Sequence, residues 1–209
     1  MPKPKENFKV FISHATAEDG PLVYWMADAL DRLRVRAFVY EAYQVGGQNR
    51  FEMIKGMIEA CPYFLVLLTE ASIVSQWVNQ EIGYAVAVGK DPIPIVEVNS
   101  YTGRRIESQG FIELHDPIDY CRDNPVQMMA KVFYTFYTLL MEVGQWKDII
   151  FLTCNCGCDF DAPLEFVRFW EMWQRSPDRN PFEIEWKCPK CGRIVKVSFP
   201  DYHLLPQEG

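Results

Sequence analysis

Five of the seven cysteines in this chain fall between Cys154 and Cys191. Thiols clustered this way in a reducing compartment point to a metal before a disulfide. Cys188-Pro189-Lys190-Cys191-Gly192 has the spacing of a zinc knuckle, in which two thiolates hold one ion and the glycine allows the turn. A partner pair is expected upstream, where Cys154, Cys156 and Cys158 are available. Cys156-Gly157 mirrors Cys191-Gly192, which favours Cys154 with Cys156. That pair is tighter than the usual knuckle, so Cys158 stands as the alternative. Four thiolates around one Zn²⁺ make a closed tetrahedral site with no open position for water, and so a structural site rather than a catalytic one. Cys61 and Cys121 read as small buried apolar residues.

A second chemical oddity is a carboxylate. The stretch Ser72 to Val88 reads as a helix, and advancing about 100° per residue puts Ile73, Val74, Trp77, Val78, Ile82, Ala85 and Val88 on one half. Glu81 lands inside that apolar half. A carboxylate on the buried side of a helix is costly unless something pairs with it, and such groups cluster at functional sites. The plainer reading places Glu81 at the helix rim, paired with an arginine.

The elements that position these groups alternate. Phe8 to Ile12, Arg36 to Tyr40, Tyr63 to Leu68 and Ile93 to Val98 are short apolar runs, with Phe111 to Leu114 expected as a fifth strand. Asp19 to Arg34, Phe51 to Ala60, Ser72 to Val88 and Pro125 to Val143 carry helical spacing, and Glu41 to Arg50, with Gly46 and Gly47, reads as a loop. Strands alternating with helices predict a parallel sheet, and continuous apolar strands fit one covered on both faces. The expected fold is α/β, a flavodoxin-like open sheet of five parallel strands. Ligands in such sheets bind beyond the carboxyl ends of the strands, here Ser13-His14, Tyr40-Glu41, Thr69-Glu70 and Val98-Asn99.

The texture changes after Gly144, which places a boundary near Gln145 to Asp148, with residues 1–146 as the first domain and 147–209 as a small second one. Lys187 to Phe199 alternates like a hairpin. The insert between the cysteine pairs is rich in aromatics, among them Phe160, Phe166, Phe169, Trp170, Trp173, Phe182 and Trp186. They read as the small module's core, the alternative being a surface for association. Of the 209 residues, 49% are hydrophobic, enough to build a core, and the net charge of -7 lacks the basic excess of a nucleic-acid surface. No apolar run is long enough to span a bilayer, and the polar start does not resemble a secretory leader. A cytoplasmic protein is expected, with neither nucleic acid nor membrane as partner.

Phe11-Ile12-Ser13-His14 followed by Asp19, the Gly46-Gly47 loop, and Ser75-Gln76-Trp77-Val78-Asn79-Gln80-Glu81 together resemble, in order, the opening box, BB loop and helix motif of Toll/interleukin-receptor (TIR) domains. The resemblance covers residues 7 to 143. It implies, through the glutamate four residues after the tryptophan, an NAD-cleaving enzyme of the microbial type with Glu81 as catalytic residue. Ser13, His14, Tyr40, Gly46, Gly47 and Trp77 would flank the nucleotide. The products would be nicotinamide with ADP-ribose or a cyclic isomer, which in microbial antiviral defence serves as a signal. The resemblance also implies self-association, because such sites are completed by a neighbouring subunit. The competing expectation is a non-catalytic TIR scaffold. The C-terminal module resembles a zinc ribbon with an unusually long insert.

Overall fold

The computed structural model describes residues 8–15, 19–40, 49–107, 116–179, 181–202 and 204–206. Contacts divide the chain into two compact units, residues 1–30 with 35–128 and residues 31–34 with 129–209.

In the first unit, five strands form one parallel sheet: β1 (Lys9–Ser13), β2 (Arg36–Phe38), β3 (Tyr63–Leu68), β4 (Pro92–Glu97) and β5 (Ile118–Tyr120). Their order is β2-β1-β3-β4-β5 and every pairing is parallel, the flavodoxin-like arrangement. The fifth strand is Ile118–Tyr120, whereas the expected strand at Phe111 to Leu114 lies outside the described residues, as do Gly46 and Gly47. Helices α1 (Gly20–Arg32), α2 (Arg50–Ala60), α3 (Glu70–Ile73) and α4 (Gln76–Ala87) cross between strands, and α5 (Pro125–Glu142) follows β5, most of it counted with the second unit.

Side chains in a strand alternate between faces. Phe64, Val66 and Leu68 of β3 therefore share one face, and they pack with Phe11, Val96, Ile54 and Ile58 of α2 and Val78, Ile82 and Ala85 of α4. Each such fully buried aliphatic or aromatic side chain contributes about 1.5–3 kcal/mol of transfer free energy. Cys61 joins this cluster, 1% exposed, and burial pushes its thiol up to about 11. Cys121 is half-buried.

The helix expected over Ser72 to Val88 is two helices. Thr69 caps α3 with a reciprocal box to Ser72, and Ser75 caps α4 by accepting from the Val78 N–H. A cap needs extended backbone, so Ser75 breaks the helical run. The wheel therefore fails before the break: Val74 is 77% exposed, not buried. After it the wheel holds for Val78, Ile82 and Ala85, with Glu81 buried among them, but Trp77 and Val88, 41% and 37% exposed, stay at the surface.

The second unit carries two antiparallel hairpins, β6 (Ile149–Cys154) with β7 (Cys158–Pro163) and β8 (Phe182–Lys187) with β9 (Ile194–Phe199), and the helix α6 (Phe166–Arg175) between them. Two of the insert's aromatics are buried, Phe166 and Trp173 at 1% and 2% exposed, and Phe160, Phe169, Trp170, Phe182 and Trp186 are half-buried. Phe182 stacks on Phe199, while Phe169 packs against both with its ring tilted.

Candidate functional site

The carboxyl ends of the sheet collect the first unit's buried polar groups: Ser13, His14, Asp19, Thr69, Ser72, Glu81 and Glu97. Most are accounted for by structure. Asp19 takes the Ala15 N–H at 3.3 Å and the Thr69 hydroxyl at 2.9 Å, pinning the β1–α1 connection to the end of β3. Burial pushes its carboxyl above the ordinary range, and those two hydrogen bonds pull partly back. Glu97, at the end of β4, is gripped by both arms of Arg122 and takes the Glu70 N–H. That fork neutralises it.

Glu81 is held differently. It sits on α4, 8% exposed, and the Ser13 hydroxyl, at the last residue of β1, donates to its Oε2 at 2.5 Å. The placement follows from two periodicities. One turn after Trp77, position 81 faces the sheet, while the last residue of β1 brings its hydroxyl to the sheet end over which α4 passes. That bond fixes Oε2 at the sheet end.

A shallow cleft opens at this point, with about 360 Å³ of free space including open solvent, lined by His14, Tyr40, Arg50, Ser75, Trp77 and Glu81 together with Phe11 and Ile12. The structure thus brings together five of the residues singled out from sequence: Ser13 through its hydrogen bond, and His14, Tyr40, Trp77 and Glu81 in the lining. Trp77 is 41% exposed, so it forms a wall of the cleft more than a part of the core. Arg50, the first residue of α2, is a lining residue that sequence reasoning missed. It stood at the end of a glycine loop, and its contacts, the rings of Tyr40 and Trp77, are remote in sequence.

The second cluster lies in the other unit. The Sγ atoms of Cys154, Cys156, Cys188 and Cys191 all lie within 4.8 Å of one another. Cys154 and Cys191 are 3.6 Å apart and Cys156 and Cys188 3.8 Å. A tetrahedron of thiolates at a Zn–S distance of about 2.3 Å has edges of about 3.8 Å, so the four thiols can hold a metal ion of that size. Both tips are built alike. Gly157 and Gly192 follow their cysteines at φ 75° and 77°, a conformation that favours glycine, and each returns its N–H to a cysteine carbonyl, Cys154 and Cys188. Cys158 stays outside the cluster, its thiol against the Asp159 carbonyl at 3.7 Å. Burial opposes ionisation of Cys188, but the N–H groups of Cys191 and Lys190 and the neighbouring thiols outweigh it and bring the thiol down to about 6.

Residues 10–128 match the family model of the TIR domain. No curated protein matches the chain. Among solved structures, it is similar to the TIR domain of the Toll-related receptor TRR-2 from Hydra magnipapillata, with 21% identity over 64% of this chain and 95% of that one and a TM-score of 0.46. It is also similar to a prokaryotic SEFIR domain, with 15% identity over 63% and 93% and a TM-score of 0.49. A third is the Clostridium botulinum CMP N-glycosidase BcmB, with 15% identity over 60% and 98% and a TM-score of 0.44. The family model covers more than half of the sequence, its span holds the whole five-stranded sheet except the first residue of β1, and the chain belongs to the TIR domain family.

Proposed function

We propose that the TIR domain cleaves NAD⁺ at the bond between nicotinamide and ribose, with Glu81 as the catalytic carboxylate. The observation that supports this most is the buried Glu81 carboxylate, held by the Ser13 hydroxyl and facing a cleft at the carboxyl end of the sheet. The C1′–N bond breaks with its electron pair going to the nicotinamide nitrogen, which loses its positive charge, so no general acid is required. Positive charge develops on the ribosyl ring, as in glycoside cleavage. The Glu81 carboxylate stabilises that charge and holds the ribose hydroxyls, and it does so without reorganising because Ser13 fixes one of its oxygens. Water then completes C1′ to give ADP-ribose, or a nucleotide nitrogen does so to give a cyclic isomer. Ring stacking on Trp77 and contact with His14 and Tyr40 would orient the nucleotide. Gly46 and Gly47 would complete its border.

The second unit serves as a structural module held by one Zn²⁺ on Cys154, Cys156, Cys188 and Cys191, which together give a closed site. Residues 147–209 would form this module, joined to a TIR domain of residues 1–146. Self-association through TIR domains would complete the site, and a cyclic product would act as a signal in antiviral defence.

A non-catalytic module that assembles with other TIR domains is the second reading. Phe51 and Trp77, 46% and 41% exposed and lining one small cavity with Glu81, favour it as an apolar docking surface. Chromatographic analysis of NAD⁺ incubated with concentrated protein separates the two: release of nicotinamide supports catalysis, and its absence at every protein concentration supports the scaffold.

A further inference from the structure

Arg50 is the cation of the cleft, and the proposed mechanism does not use it. Its guanidinium carbon lies 4.5 Å from the centre of the Tyr40 ring and 4.4 Å from that of Trp77, so the group is flanked by two aromatic surfaces. Such stacking is favourable for arginine and fixes the plane of the fork. Cations held this way keep their N–H edges for another partner. Among the described residues no carboxylate pairs with this one, and its buried Nε has no hydrogen-bond partner. A buried N–H left without a partner is costly, and a charged one more so. The cation also stands at the first residue of α2, where the helix dipole already favours an anion and disfavours a positive side chain. The other lining groups are the apolar Phe11, Ile12 and Trp77, the Tyr40 and Ser75 hydroxyls, the His14 imidazole and Glu81, whose Oε2 is held by Ser13.

We propose that Arg50 binds a phosphate of the substrate, so that this cleft selects nucleotides over nucleosides. This rests on the reading of the cleft as a ribosyl site: a 5′-phosphate is attached to the ribose that Glu81 would hold. The planar fork matches two phosphate oxygens at once, with Tyr40 and Trp77 setting its angle. Arg50 is thus a specificity-determining residue. It tells a phosphorylated nicotinamide ribosyl group from an unphosphorylated one, while Glu81 acts on the bond common to both.

The test uses the full chain carrying Glu81→Gln, so that neither ligand is consumed, and titrates nicotinamide mononucleotide and nicotinamide riboside calorimetrically. With Arg50 present the mononucleotide binds at least about 10-fold tighter than the riboside, a modest return for charge-assisted bonds. In Arg50→Gln the two bind within about 2-fold of each other, through loss of mononucleotide affinity with the riboside unchanged. Arg50→Lys keeps a point charge without the stacked fork and falls between the two. Should Arg50→Gln fail to give the parent's thermal transition, Arg50→Lys decides by the same ratio. A preference for the mononucleotide that survives the substitution, equal binding of both ligands by the Arg50 protein, or binding of neither overturns the proposal. NAD⁺ turnover by the wild type is read separately. An Arg50-dependent phosphate preference without turnover sinks the catalytic reading and leaves this one standing, and turnover with an unaltered preference does the reverse.

Discussion

Replacing Ser13 by alanine removes one atom from the site, and its consequence can be worked out. The hydroxyl and the carboxylate are 2.5 Å apart, on residues 1% and 8% exposed. A hydrogen bond to an ionised partner contributes about 1.5–3 kcal/mol, and a neutral one about 0.5–1.5 kcal/mol. Ser13→Ala is therefore expected to destabilise the TIR domain by about 2 kcal/mol, a shift of several degrees in its melting temperature. In a Glu81→Gln background the same substitution deletes only a neutral bond and costs about 1 kcal/mol. The double-mutant cycle should then show a coupling of about 1 kcal/mol. Urea denaturation at pH 7 measures it, with the transitions of the two units resolved from each other. Released from its anchor, Glu81 also loses its fixed position, so kcat on NAD⁺ should fall about 10-fold with KM near that of the wild type, the pattern for a contribution confined to the transition state. A coupling within about 0.3 kcal/mol of zero, the scatter of independent sites, refutes the claim that an ionised Glu81 leans on Ser13.

The metal site predicts one equivalent of zinc per chain by elemental analysis, reduced to near zero in Cys191→Ser and unaffected in Cys158→Ser, whose thiol lies outside the cluster. Chelation should melt the hairpins of the second unit, because a structural site contributes folding free energy directly, and near-ultraviolet dichroism of Trp173 and the neighbouring Trp170 should report the loss. Asp19 gives a pH dependence of opposite sense to a salt-bridged carboxylate. Burial raises its folded value above the ordinary 3.8, so between 3.8 and that raised value the folded state binds more protons, and stability declines as pH rises. Above the raised value the contribution is flat. Asp19→Asn should abolish this slope, seen as a wild-type-minus-mutant difference in urea midpoint that changes only in the acid window; a difference that is constant with pH contradicts the assignment.

Much of the first unit can be read from its residues, for physical reasons that differ by element. β3 is six apolar residues between Pro62 and Thr69, too short for a helix and apolar on both faces, so only an interior strand suits it. β5 has three residues, too few to express any period. The break at Ser75 was hidden because serine tolerates both helix and cap, and the choice rested on its bond to the Val78 N–H. Glu81 was legible because a single charge interrupts an apolar stripe whose register the cap does not disturb. Arg50 was not, since a cation at a loop end looks solvated until Tyr40 and Trp77 are seen against it. In the second unit the glycines after Cys156 and Cys191 disclosed two similar turns. The aromatics Phe166, Phe169, Trp170 and Trp173 have helical spacing and lie on α6, an element that composition alone shows only as an aromatic-rich insert.

Glu81 carries the account, and its most direct test is nicotinamide release from NAD⁺ by concentrated wild-type protein beside Glu81→Gln, an exchange that preserves shape and removes charge. Turnover in the wild type with at least a 100-fold loss in the variant, both retaining the same fold by circular dichroism, is the predicted result. Equal turnover in the two proteins contradicts the claim that this buried carboxylate performs the chemistry.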